Sequence, residues 1–355
     1  MAATMEAVPK LITREHIIQN FLQQANWSDA TRQAIPGDAS YRRYERLTRG
    51  DASAILMDAP PERENTRAFV NAQRYLARAG YSAPAILQAS PDEGLLLLED
   101  FGNDSVTLRL RENPAEEAAI YADAIDLLAH MAGQGLQLTA ESGSQFSTYD
   151  ASLLLQEAML FAQWLLPEIL PVAQVVEAVE SYEQAWQLLL EEADLTPAVV
   201  THRDFHADNL FILSWKEGLS RIGLLDFQDA VLGRPAYDVV SLLEDARRDV
   251  DAAVVDASLK QFVVASGLGT SDFLRDYAFY GAQRNAKILG IFTRLYRRDG
   301  KPRYLAMLPR VWRYFDRNIE HPSLAALQAW RQRYIMPEVV QRILNLHALL
   351  AEPNR

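Results

Sequence analysis

The sequence predicts an α+β protein of two unequal lobes, a small β-rich one followed by a large, mostly helical one. Three observations carry that expectation. Short apolar runs separated by Gly, Pro and Asp turns crowd residues 27 to 98. Helical periodicity then dominates from Thr107 to Ala351. One strand-loop-strand patch, Val199 to Leu225, interrupts the helices. At 355 residues the chain is long enough for two lobes and a large buried core.

The elements follow in order. Residues 14–25 read as an amphipathic helix, because Ile17, Ile18, Phe21 and Leu22 recur on one face. Arg32–Ile35 and Tyr41–Leu47 flank Pro36-Gly37-Asp38-Ala39-Ser40 and predict a hairpin, and Arg49-Gly50-Asp51 turns the chain into the strand Ala54–Met57. Pro60-Pro61 breaks the chain, and Glu62–Ala79 then reads as a helix ended by Gly80. Beyond Pro84, Ile86–Gln88 and Leu95–Leu98 add two strands. This divides the chain into an N-terminal lobe (1–98, with its N-terminal helix), a hinge (99–103) and a helical C-terminal lobe (104–355).

Composition bounds the function. Hydrophobic residues make up 49% and charged residues 23%, ordinary for a soluble globular protein. Forty-seven acidic against thirty-five basic residues give a net charge of −12, which argues against a general nucleic-acid binder. There are no cysteines, so disulfides, thiolate metal sites and a cysteine nucleophile are excluded. The first 25 residues lack the apolar core of a secretory signal, and no apolar run has the length of a membrane span. A cytoplasmic location with no membrane partner is the expectation; oligomeric state is not legible.

The stretch from Thr201 to Asp229, THRDFHADNLFILSWKEGLSRIGLLDFQD, carries the chemistry. His202, Asp204, Asp208 and Asn209 share one short loop, and Asp226 follows the apolar run Ile222–Leu225. Phosphoryl transfer from ATP needs a carboxylate to orient and deprotonate the attacking hydroxyl, and a carboxamide and a second carboxylate to hold Mg2+ against the phosphates. An H-x-D-x4-N loop followed by a strand ending in Asp supplies those groups in that order. Asp204 is thus the expected catalytic base, with Asn209 and Asp226 as metal ligands.

This arrangement resembles the aminoglycoside phosphotransferase and choline kinase superfamily over nearly the whole chain, most strongly at His202–Asn209 and Asp226–Asp238. That implies a bilobal, protein-kinase-like fold with ATP and Mg2+. The strings GDASYRRY, ILMDAPP, LLLEDFG, DFQDAVLGRPAYDVVSLLEDARRDV and RNAKILGIFTRLYRRDGK are similar to the bacterial anomeric kinases of N-acetylmuramate and N-acetylglucosamine. Those enzymes phosphorylate the C1 hydroxyl of cell-wall amino sugars during peptidoglycan recycling. A kinase for another alcohol, such as an aminoglycoside or a choline-like acceptor, and a non-catalytic nucleotide-binding protein are the alternatives.

The resemblance implies further roles. His202 holds the loop, Asp208 braces it through backbone N–H groups, and Asp238 caps a helix while bonding back to the loop. His206 either contacts substrate or stays solvated. Leu98–Phe101 is the adenine hinge, with Glu99 and Phe101 as contacts. Tyr149, Glu157 and Trp164, on or before a helix 151–166, and Arg284 and Lys287 are acceptor candidates; a lactyl carboxylate would pair with Arg284 or Lys287. Glu244-Asp245 and Asp249-Asp251 read as exposed helix surface rather than an acidic cleft.

The pattern departs from the family in the first lobe. No Lys occurs between Lys10 and Lys216, so the usual phosphate-gripping Lys is absent. The phosphate loop has one glycine, Gly37, with Ser40 as a further contact. Arg42 and Arg43 are the nearest cations; strand alternation sends them to opposite faces, and Arg43 is the favoured one.

Overall fold

The computed structural model describes residues 13–36, 41–134 and 146–351. It divides into two compact units. One runs up to Asp104 and includes Gly223–Gln228; the other comprises Ser105–Ile222 and the chain from Asp229 onward.

The first unit is an antiparallel sheet of β1 (Thr31–Ile35), β2 (Arg43–Arg49), β3 (Ala52–Asp58), β4 (Ile86–Ser90) and β5 (Leu95–Glu99), in the order β1-β2-β3-β5-β4. Helix α1 (Arg14–Gln24) is capped by Thr13, whose hydroxyl accepts the His16 N–H. Its Ile18, Phe21 and Leu22 pack on Leu47, Ala54, Leu56, Leu95 and Leu97 of the sheet. Side chains alternate along a strand, which leaves Met57, Leu96 and Leu98 for the opposite face.

Helix α2 spans Thr66–Arg78 and starts four residues later than its periodicity suggests. Pro60 O accepts both the Arg63 and Glu64 N–H groups, closing a turn, and Asn65 caps the helix by accepting from Ala68 N at 3.1 Å. The β4–β5 turn needs Gly94: its φ is +69°, and a Cβ there would stand 1.9 Å from Ala59 O. Gly223–Gln228 joins this unit through a Leu224 N–H bond to Ser82 O at 2.7 Å and a Phe227 ring 4.8 Å from Phe69.

The second unit is helical: α3 (Val106–Glu112), α4 (Glu117–Gln134), α5 (Ala151–Leu160), α6 (Leu166–Ile169), α7 (Val172–Glu192), α8 (Ala236–Leu243), α9 (Ala252–Ser266), α10 (Thr270–Asp299) and three helices beyond. The predicted helix 151–166 is interrupted by a π-helical turn at Phe161–Leu165. Pro167 has no N–H for Gln163 O and its ring would crowd that carbonyl, so the chain widens by one residue. The long helix α10 crosses this point at Gly290, where a Cβ would stand 2.2 Å from the Leu160 carbonyl carbon. Only glycine lets the backbones meet there.

A strand pair embedded in the helices positions the loop. β6 (Val199–Thr201) pairs with β9 (Val231–Gly233), a strand the sequence reading passed over because three residues carry no period. At Gly233 the strands are so close that a Cβ would lie 2.7 Å from Thr201 Oγ1. β7 (Leu210–Ile212) and β8 (Ile222–Leu224) complete the strands. Among the described residues no helix is long and apolar enough to cross a membrane.

Candidate active site

Residues 202–209 link β6 to β7, and Asp238 fastens the first two of them. One of its oxygens accepts the His202 N–H at 2.7 Å and the other the Arg203 N–H at 2.9 Å. The hold has a purpose: Arg203 has φ 75°, a left-handed conformation costing a non-glycine residue on the order of 1–3 kcal/mol. Burial pushes the Asp238 carboxyl up to about 6, while His202 and the two N–H bonds pull the other way. The expected bond back to the loop is present. The expected cap is not: Pro235 holds the cap position, and Asp238 lies inside the first turn of α8.

Asp204 is half-buried. Its N–H faces His202 Nδ1 at 3.3 Å, and its carbonyl accepts from Asn209 Nδ2 at 3.0 Å. His202 is buried, with its ring edge-on to Phe205 at 5.8 Å, so it braces the loop as expected. Burial raises the Asp204 carboxyl, but Lys287, His206, Arg284 and His202 together outweigh it and hold it below the ordinary carboxylate value. Asp204 is therefore ionised near neutrality, able to accept a hydrogen bond from a hydroxyl while remaining a weak base. That suits a loose phosphoryl-transfer transition state, where orientation counts more than early proton removal.

Asn209 spends its amide nitrogen on the Asp204 carbonyl, which leaves Oδ1 as a hard oxygen donor. Asp226, in the first unit, is also left-handed, with φ 60°, and its Oδ1 accepts from Gln228 Nε2 at 2.8 Å. Magnesium takes hard oxygens and keeps several waters, so an amide oxygen and a carboxylate each fit it. Among the described residues no cluster of three or more acidic or His side chains forms a complete cage.

The two candidate cations of the first unit differ in their surroundings. Arg43 is exposed, whereas Arg42 pairs with Glu64 at 2.8 Å with both side chains about nine-tenths covered. Both charges act on the Tyr44 hydroxyl, which burial pushes up to about 12, and Asp226 acts on it too. Asp58, where β3 might have carried a Lys, instead accepts two hydrogen bonds from Arg14, at 2.9 and 2.6 Å. Gly37 and Ser40 lie outside the described residues. Of the hinge pair, Phe101 is buried, and the Glu99 N–H is bonded to Ala85 O at 2.8 Å.

The acceptor candidates separate into two groups. Tyr149 is buried, its hydroxyl donates to Glu157, and its ring stands edge-on to Tyr237 at 5.2 Å. Glu157 is bridged by Arg203 and by Lys287 Nζ at 3.0 Å. Burial raises its carboxyl, yet Lys287 and Arg203 bring it below the ordinary value. Tyr149, Glu157 and Lys287 thus hold Arg203 in its strained conformation instead of presenting open groups. Trp164 lies half-buried in the π-turn, and no described ring contact or hydrogen bond ties it to the loop.

The other group surrounds His206, which is buried and so not solvated. Its Nε2 faces Arg247 Nη1 at 3.3 Å and Asn209 Nδ2 at 3.5 Å. Glu244 and Asp245 correct an expectation: they are 0% and 1% exposed, because they close α8 against α10. Asp249 is exposed and Asp251 caps α9, as a surface reading of that pair implies. Asp208 braces the loop through side chains, accepting from Thr107 Oγ1 and pairing with Arg247 Nε at 3.2 Å, where backbone N–H partners were expected. Arg203, Asp245 and Arg247 were missed from sequence; each is charged and lies in a stretch rich in charged residues, the ordinary signature of a solvated surface.

The sequence pattern of the phosphotransferase enzyme family matches residues 31–277. The chain belongs to that family. This phosphotransferase is 38% identical to the N-acetylmuramate/N-acetylglucosamine kinase of Caulobacter vibrioides, over 92% of its own length and 98% of the relative's. It is 36% identical to the kinase of the same name from Pseudomonas aeruginosa, covering 82% of the chain and 84% of the relative. Among solved structures, a choline/ethanolamine kinase family protein from Mesorhizobium loti aligns with TM-score 0.58 at 14% identity, over 89% of this chain and all of that one. An ADP-bound aminoglycoside phosphotransferase aligns with TM-score 0.56 at 14% identity, over 84% and 96%. These structures establish the protein-kinase-like fold of the phosphotransferase.

Proposed function

We propose that this phosphotransferase moves the γ-phosphoryl group of Mg-ATP onto the anomeric C1 hydroxyl of N-acetylmuramate and N-acetylglucosamine. The observation that carries the acceptor is the shared name of its relatives, which match at 32% to 38% identity along most of the chain. The chemistry rests on the Asp204 loop. Asp204 orients the C1 hydroxyl and takes its proton as the new O–P bond forms and the bond to ADP breaks. Asn209 Oδ1 and the Asp226 carboxylate supply oxygens to Mg2+, which when bound neutralises phosphate charge. Arg42, held by Glu64, takes the place of the missing phosphate Lys in the nucleotide-binding lobe. Asp238 and the Glu157 cluster position Asp204 by holding Arg203.

The test is direct. The protein is incubated with Mg-ATP and each sugar, ADP release is followed, and NMR of the product locates the phosphate. Phosphorus coupling to the anomeric proton is expected. Phosphate on another hydroxyl, or ADP release with an aminoglycoside or choline but neither sugar, would sink the reading.

A further inference from the structure

Three buried polar atoms beside the Asp204 loop have no partner: His206 Nδ1, Asp245 Oδ2 and Arg284 Nη1. They are not scattered. Asn285 Nδ2 donates to Glu244 Oε2 at 2.6 Å, which locks the neighbours of Arg284 and Asp245 together where α10 meets the end of α8. Asp245 Oδ1 accepts the Arg247 N–H at 2.8 Å, and the Arg247 guanidinium reaches His206 Nε2 at 3.3 Å. His206 in turn lies next to Asn209, whose amide bonds to the Asp204 carbonyl.

The chemistry of each atom follows from what its side chain already does. Arg247 and the Asn209 amide nitrogen can only donate, so His206 Nε2 accepts and Nδ1 carries the proton. His206 Nδ1 and Arg284 Nη1 are therefore donors, and Asp245 Oδ2 is an acceptor. Arg284 is 4% exposed, and no described carboxylate bridges it. Its neighbour one turn on, Lys287, is already neutralised by Glu157. Its charge acts on the Asp204 carboxylate, yet its buried Nη1 has no hydrogen-bond partner; an unmade buried hydrogen bond is costly, and such donors persist where a ligand completes them.

We propose that His206, Asp245 and Arg284 form the acceptor subsite for a carboxylate-bearing sugar, in which Arg284 pairs with the carboxylate. His206 donates a second hydrogen bond to an acceptor oxygen, and Asp245 accepts from a ring hydroxyl. This inference rests on the amino-sugar reading above and sharpens it, since N-acetylmuramate carries a lactyl carboxylate and N-acetylglucosamine does not. Arg284 becomes the residue that separates the two substrates.

The experiment compares both sugars as acceptors for the wild-type enzyme and for Arg284→Gln and Arg284→Lys. A guanidinium–carboxylate pair is worth roughly a hundredfold in affinity. Arg284→Gln should lower the ratio of kcat/KM for N-acetylmuramate to that for N-acetylglucosamine by about that factor, whatever loss both sugars share through Asp204. Arg284→Lys should recover part of the loss. The methyl ester of N-acetylmuramate, tested on wild-type enzyme, should show the same penalty without any mutation, which covers a variant that fails to fold. Equal losses on both sugars would place Arg284 on a group they share, such as the phosphoryl being transferred. Equal turnover of acid and ester would also overturn the proposal. Wild-type enzyme inactive on both sugars would overturn the amino-sugar reading and this inference with it, whereas activity with unchanged discrimination removes this inference alone.

Discussion

Asp238→Asn separates the stability of this protein from its chemistry. The ionised Asp238 carboxylate is buried, with His202, Asp204 and the Arg203 backbone as its charged and polar neighbours, and its value is raised from 3.8 to about 6. At about 1.4 kcal/mol for each tenfold change in proton affinity, its charge costs about 3 kcal/mol of folding free energy above pH 6. The sign follows from the raised value. The stabilising effect of protonation is complete below the unfolded value near 3.8 and is lost as pH rises through about 6. Asparagine removes that cost, but it turns an NH2 toward one of the two N–H groups at His202 and Arg203, leaving a buried donor unsatisfied at about 1–3 kcal/mol.

The two effects nearly offset, so the midpoint of denaturant unfolding at pH 7.5 should move by less than about 2 kcal/mol equivalent. Activity should not be spared. Without both bonds Arg203 relaxes from φ 75°, Asp204 shifts with it, and kcat should fall at least tenfold. The wild-type profile of kcat at saturating Mg-ATP should show an acid limb near pH 6 from Asp238, since Asp204 is held below the ordinary carboxylate range. That limb should vanish in Asp238→Asn. A variant with wild-type kcat and an unchanged acid limb would refute the reasoning.

Other substitutions test other parts of the structure. Asp204→Ala should lower kcat by about a hundredfold to ten-thousandfold while the KM for ATP stays within a few fold; phosphate transfer that survives it removes Asp204 from the mechanism. Arg42→Gln and Glu64→Gln should each raise the KM for ATP by tenfold or more, read by ADP release, with Arg43→Gln close to wild type; the reverse order would return the phosphate role to Arg43. Gly290→Ala places a methyl 2.2 Å from backbone at Leu160, so it should destabilise the protein by about 2 kcal/mol or more in denaturant unfolding, whereas Gly80→Ala, where nothing lies within 4 Å, should cost only the strain of its positive φ.

Much of the fold was legible because apolar spacing encodes it. The α1 face, five strands and the positions of most helices follow from periods of 3.6 and 2 together with Gly and Pro punctuation. Elements that failed lacked a period or hid a backbone event. β9 is three residues long, the delayed start of α2 depends on a turn closed by Pro60 O, and the π-turn answers to Pro167. The candidate catalytic loop was legible for a different reason. Phosphoryl transfer demands particular groups in a fixed order, so His202, Asp204, Asn209 and Asp226 stand out from any background.

By itself, the sequence determined the two-lobed α+β class and the order of carboxylates and carboxamide on which the proposed phosphoryl transfer rests, since both are written in local spacing. Tertiary structure alone decided which charges are free to act. Tyr149, Glu157 and Lys287 satisfy one another around Arg203, and Arg42 is turned onto Glu64. Asp245 and Arg284 are buried with atoms left open. Whether a charged side chain is a surface ornament, a brace or a ligand contact depends on its burial and partners, and those come from residues far away in the chain. Arg203 and Glu157, or Asn285 and Glu244, meet only when the helices pack.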